Sequence, residues 1–153
     1  MRMLKALIIG LFIWQGMAMA NDFTPKYDLL VKKSNKSFED TYNALVNFLK
    51  AKDIPIFADI DHKQNAVDVK LELNPTRVVI FGNPKVGTFL MQDNQEIAFE
   101  LPLRMSIWQD SKGQVFVAVN DMKKLQKIYN LKNQKVVDNI STFLTNLVNE
   151  VTK

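Results

Sequence analysis

The stretch LRMSIWQDSKGQVFVAVN, residues 103–120, constrains this chain most, because it specifies two strands, the turn between them and their register together. Alternating β-branched and aromatic residues flank Asp110-Ser111-Lys112-Gly113. Aspartate at the first position and glycine at the last suit a type I turn completed by a glycine bulge. With Asp110 flanking Gln114, Met105 falls opposite Val119, Ile107 opposite Val117, Trp108 opposite Phe116 and Arg104 opposite Asn120. A four-residue loop without the bulge would pair odd positions with even ones and mix the faces. The bulged register leaves one uniformly aliphatic face and is therefore the one expected.

The remaining elements assemble around this hairpin. YDLLVKK (27–33) reads as a first strand. Ser37 followed by Asp40 resembles a capping box, and Phe38, Tyr42, Leu45, Phe48 and Leu49 recur at helical spacing, which predicts a helix over about 37–51. IPIFADIDH (54–62) alternates as a strand, with Ile56, Ala58, Ile60 and His62 on one face and Phe57, Asp59 and Asp61 on the other. The chain's one histidine is thereby aimed at the more apolar side. KQNAVDVKLEL suits a short helix ended by Asn74-Pro75, and RVVIF (77–81) is apolar enough for an inner strand. Gly87-Thr88 is expected to start a further helix. Asp121 caps a helix with the stripe Met122, Leu125, Ile128 and Tyr129. A last amphipathic helix, about 134–151, carries Val136, Val137, Ile140, Phe143, Leu144, Leu147, Val148 and Val151 on one broad face. Its polar face holds too little positive charge for a membrane-surface helix, so core or dimer packing is the better reading. The order of elements predicts an α+β fold, a small mainly antiparallel sheet packed against helices in one compact domain.

The amino terminus reads differently. Arg2 and Lys5 precede an apolar run from Ala6 to Trp14, and Ala18-Met19-Ala20 gives the small-x-small pattern of a secretory signal peptide. The run is shorter than the ~20 residues of a membrane span, so cleavage after Ala20 rather than a stable anchor is expected. The expected mature chain, residues 21–153, carries 18 basic and 16 acidic side chains, a net +2 that removes most of the support for a nucleic-acid partner. A periplasmic or secreted location follows. With no cysteine in the chain there is no disulfide, thiolate nucleophile or cysteine metal ligand, so the core must hold the fold.

Three places invite a functional reading. FGNPKVGT (81–88) places Gly82, Asn83, Gly87 and Thr88 after an apolar strand with a spacing that resembles a phosphate loop. No lysine follows Gly87 and neither GxxxxGK[ST] nor GxGxxG is present, so a turn with a threonine helix cap is the ordinary alternative. His62 is a candidate metal or haem ligand, or an acid/base; a hydrogen-bonded core histidine is the plainer reading. A Ser-His-Asp hydrolase lacks its GxSxG elbow here, and a single zinc ion would need more ligands than one histidine. Two copies related by a twofold axis would bring two His62 side chains to one haem or metal, with Met91 and Met105 as softer partner ligands. The third place is the less aliphatic hairpin face, where Arg104, Ser106, Trp108, Phe116 and Asn120 suit a planar or carboxylated ligand, a protein interface, or simple packing under a helix.

Several segments together resemble the bacterial domain of unknown function 302. They are IDHKQNA (60–66), NPTRVVIFGNPKVGTFLM (74–91), ELPLRM (100–105) and VND (119–121), and they span most of residues 54–131. Lys70 stands where many relatives have glycine, Phe89 where they have proline, and Val119 where they often have tyrosine, the last a change expected to alter the surroundings of Asn120. The resemblance implies a compact α+β domain that tends to dimerise, and implies no reaction. The expectation is therefore an exported, soluble, homodimeric and nonenzymatic binding or interaction module, with a small-ligand pocket near His62 and the 82–88 loop. The alternative is a haem- or metal-binding protein, or an enzyme, using His62.

Overall fold

In a computed structural model the described residues are 29–153. The expected signal peptide, its cleavage site and residues 27–28 of the expected first strand lie outside them.

The hairpin forms as its sequence requires. Its strands are β4 (Leu103–Gln109) and β5 (Val115–Asn120), with Met105 opposite Val119, Ile107 opposite Val117 and Trp108 opposite Phe116. Gly113 has φ +80°, donates its amide to Asp110 O (3.0 Å), and Asp110 N donates to Gln114 O (2.9 Å). The left-handed φ at the bulge is what calls for glycine there. Around the hairpin lie β1 (Leu29–Lys33), β2 (Ile56–Asp61) and β3 (Thr76–Phe81), giving one antiparallel sheet in the order β1-β5-β4-β3-β2.

Two long helices cover one face. Helix α1 (Phe38–Ala51) begins at Ser37, whose hydroxyl accepts from Asp40 N, and buries Thr41, Leu45 and Leu49. After α2 (His62–Asp68), α3 (Pro84–Asp93) and α4 (Met122–Ile128) comes α5 (Gln134–Thr152). It buries Val137, Ile140, Leu144, Leu147, Val148 and Val151, the expected stripe. These side chains meet Val79, Phe81, Met105, Ile107, Val117 and Val119 from the sheet in one core. Each full burial contributes ~1.5–3 kcal/mol, which lets a chain without disulfides hold together.

The ends of the sheet set the position of everything functional. Because neighbouring strands are antiparallel, β3 and β5 end where β2 and β4 begin; this is called the upper end. There α3 and the 3-10 turn Gln95–Phe99 join β3 to β4, and α4 follows β5. Helix α5 runs back to the lower end, where Asn149 Oδ1 accepts from Lys32 Nζ and Thr152 O accepts from Asn35 N.

Four local expectations change. His62 is not a strand residue: β2 stops at Asp61, whose carboxylate accepts from Gln64 N and caps α2, so His62 is the exposed first residue of a helix. An acidic cap next to a helix-compatible run outweighs strand alternation at its last position. The short helix ends at Asp68 rather than continuing to Asn74, and Lys70 takes the left-handed φ of 62°. Helix α3 starts at Pro84, not at Gly87-Thr88: Asn83 Oδ1 accepts from Lys85 N, and proline at the first position needs no amide partner. Val119 lies in the core on the helix-covered face, so its side chain points away from Asn120, contrary to the change in surroundings expected from that substitution.

Candidate functional site

The 82–88 loop borders an apolar cavity. It is a half-open space of about 490 Å³ at the upper end, between the β3–α3 loop, the segment 98–103 and α5. Phe57, Phe81, Leu101, Leu103, Ile140 and Phe143 make apolar walls, and Met91 contributes from α3. Among the described residues, Asn83 and Asn139 are the polar side chains of its lining. Its size is that of a small-molecule site.

Local sequence builds these walls. The strand RVVIF delivers Phe81 to the core, and the chain leaves it through Gly82, whose amide donates to Pro55 O (3.1 Å) and ties the loop to the start of β2. Asn83 and Pro84 then start α3 at once, which turns Val86, Gly87 and Met91 toward the cavity. On the other side, Leu101-Pro102, joined by a cis peptide, closes the wall before β4 begins.

Gly82 and Gly87 stand in the wall without a backbone reason. Neither has a left-handed φ. A Cβ at Gly87 would meet Leu101 Cδ1 at 3.7 Å, and one at Gly82 would meet Phe57 Cε2 and Pro102 Cβ at 3.7 Å, all ordinary contacts. Glycine inside a helix costs ~1 kcal/mol against alanine, and Gly87 is the fourth residue of α3. The added methyls would abut Leu101, Phe57 and Pro102, themselves cavity walls.

The other sequence candidates are dispersed. Thr88 donates its hydroxyl to Pro84 O (2.7 Å) inside α3 and faces solvent rather than capping the helix or lining the cavity. His62 follows the lower end of β2, one residue past Asp61, which itself lies four strand residues beyond Phe57, ~14 Å at ~3.4 Å per residue. The pocket expected near both His62 and the 82–88 loop therefore includes the loop alone. Met105 is core filling. Among the described residues no group of three or more His, Cys, Asp or Glu side chains is placed to hold a metal ion.

Arg104, Trp108 and Asn120 lie on the sheet face away from α1 and α5, each held by a different neighbour. Trp108 stacks on Phe116, with centroids 5.5 Å apart and planes 19° from parallel. Arg104 Nη2 donates to Phe99 O (3.0 Å). Asn120 is 5 % exposed and donates to Glu100 Oε2 (3.0 Å), while Tyr129 OH donates to Glu100 Oε1 (3.2 Å). Asn120 Oδ1 is buried without a hydrogen-bond partner among the described residues.

Sequence reasoning missed one polar cluster. Asp59 accepts from Tyr42 OH (2.6 Å) and Arg77 Nε (2.7 Å), and the Arg77 guanidinium lies 4.1 Å above the centre of the Tyr42 ring. The hydrogen bond to Asp59, then burial, raises the Tyr42 pKa above its ordinary value. For Arg77, burial pulls the pKa down, but the Asp59 hydrogen bond and the surrounding negative charge more than offset it. The cluster clamps α1 to β2 and β3. Its signal was the polar parity of Asp59 and Asp61 on a strand whose other face is apolar.

The family described as domain of unknown function DUF302 matches residues 30–147. A protein named fluoride-specific ion channel FluC 1, from Brucella suis biovar 1 (strain 1330), is 36% identical over 103 residues, covering 67% of this chain and 41% of that protein. A protein of the same name from Brucella abortus biovar 1 (strain 9-941) is also 36% identical over 103 residues, covering 67% and 38%. The chain thus spans about two fifths of the length of these curated relatives. The crystal structure of an uncharacterized conserved DUF302 protein from Bacillus stearothermophilus superimposes with a TM-score of 0.70 at 13% identity, covering 84% of this chain and all of that one. At that identity the likeness is one of fold.

Proposed function

We propose that this chain, which belongs to the DUF302 family, is a binding module that takes a small apolar ligand in the upper cavity. The observation that carries the reading is the pair of wall glycines, which the backbone does not require and whose added methyls would abut the cavity walls. Among the described residues the cavity lining includes no serine, threonine, cysteine, histidine, aspartate or glutamate, which favours binding over turnover. Nile red, a neutral apolar dye, tests it. Gly87→Ala is expected to raise stability by ~1 kcal/mol while weakening dye binding several-fold. A Gly87→Ala variant that is destabilised, or that binds the dye as the parent does, defeats the reading.

A homodimer is the second part of the proposal, and the sheet face opposite α1 and α5 supports it. Ala58, Ile60, Val78, Ile80, Trp108 and Phe116 are half-buried there, and Val31 is 56 % exposed. An antiparallel sheet with one solvated face normally shows polar residues on it, so an apolar second face calls for a second layer. Five strands at ~4.8 Å spacing and six residues at ~3.4 Å each give a footprint of roughly 500 Å². Side-chain relief and the rim bring this toward the ~800 Å² per partner of a stable interface. A second copy meets the requirement that an apolar surface find a surface like itself, by a twofold axis.

The proposal places the module outside the cytoplasm, periplasmic or secreted, on the strength of the leader pattern in residues 1–20. An intact mass beginning at Asn21 is expected, and a product retaining residues 1–20 would oppose it. The channel named in the Brucella relatives is not carried over. About three fifths of those proteins lies outside the match, and among the described residues no helix is long and apolar enough to cross a membrane. Shared sequence within a longer protein of another name fits a module joined to different partners.

A further inference from the structure

Resting on the binding reading of the upper cavity, we infer that its ligand is a neutral amphiphile: an apolar body with a hydroxyl or carbonyl at one end. Among the described residues the lining includes no lysine, arginine, aspartate, glutamate or histidine. An ionised group drawn among Phe57, Phe81, Leu103 and Phe143 would lose its water with no counter-charge to replace it, a cost of several kcal/mol. The body of the ligand is therefore uncharged.

The polar end is specified by two carboxamides from different elements. Asn83 comes from the loop before α3 and Asn139 from α5, and both are exposed where they border the cavity. Asn83 Oδ1 is occupied in capping α3 through Lys85 N, which leaves its Nδ2 hydrogens as donors without a partner among the described residues. Asn139 makes no side-chain hydrogen bond among the described residues, so it offers both a donor and an acceptor. Two donors and one acceptor at the rim of an apolar cavity match a carbonyl or a hydroxyl, each of which completes hydrogen bonds there without bringing in charge. A carboxylate is the nearest competitor, because Lys135 lies one helical turn before Asn139. Its charge, however, would meet uncharged amides rather than a buried cation.

Displacement of Nile red from the purified full chain by 1-decanol, decanoate and decane at pH 8 tests the class. The expected order is decanol first, at a concentration at least tenfold below decanoate. Asn139→Leu and Asn83→Asp, which keeps the cap acceptor and removes the donors, should each bring decanol close to decane, with every displacement scaled to the dye affinity measured for that variant. Decanoate displacing as well as or better than decanol overturns the neutral class and leaves the cavity reading standing. Decanol unaffected by both asparagine variants overturns the assignment of its head to this rim. Absence of dye binding to the parent chain overturns the cavity reading, and this inference with it.

Discussion

Lys70 carries, at the scale of one residue, a conformational cost that its sequence does not advertise. Its φ of 62° lies in the left-handed region, where a side chain crowds the backbone by ~1–2 kcal/mol and glycine does not. A glycine at this position would carry no such cost. Lys70→Gly is expected to stabilise by ~1 kcal/mol, after the greater entropy of the unfolded glycine is counted, and chemical denaturation measures it. Tyr42 makes a second prediction. Its hydroxyl donates to Asp59, and its pKa is raised in the folded chain above the ordinary 10.0. The proton is thus held more tightly folded than unfolded. The resulting stability is complete below about pH 10 and is lost as pH rises through the higher folded value. Tyr42→Phe should cost ~1 kcal/mol at neutral pH, and the gap between variant and parent should narrow above pH 10. A gap that stays constant to alkaline pH would show that the hydrogen bond is not its source.

Among the elements, the hairpin is the most completely determined by its own residues. Asp110 Oδ1 accepts from both Lys112 N and Gln114 N at 2.9 Å, while Gly113 supplies the left-handed bulge. Asp110→Ala removes both acceptors and is expected to cost ~1–2 kcal/mol, read as a lower denaturation midpoint with the sheet retained. An unchanged midpoint would mean that the glycine alone sets the turn. Helix α5 was equally legible, since its apolar stripe recurs at the helical period over the whole element. Helices α2 and α3 were less so. Each starts at a polar cap, Asp61 or Asn83, immediately after a strand, and neither alternation nor glycine spacing marks the exact residue where the backbone changes. The consequence was large at His62, because one residue of strand or helix decides whether the side chain enters a core or meets water.

The whole molecule poses the question of its second sheet face. Trp108 and Phe116 stack there, outside the core built by α1 and α5. If a second copy covers them, Trp108→Glu should yield a folded monomer, with a preserved circular dichroism spectrum and half the parent's mass by sedimentation at equilibrium. A parent that sediments as a monomer at high concentration would reject the dimer. At the same scale the division between sequence and tertiary structure becomes plain. Sequence by itself determined the α+β class, the hairpin register, the stripe of α5, the caps at Ser37 and Asp121 and the resemblance to the family, because each depends on residues close together in the chain and on a fixed backbone period. Only the tertiary structure decided which candidate residues share a site. It joined Gly82, Asn83 and Gly87 to Leu101 and Phe143 around one cavity, moved His62 to the other end of β2, and separated Arg104 and Trp108 from both. A cavity is the space left by elements that meet from distant parts of the chain, and no local period records where that space falls.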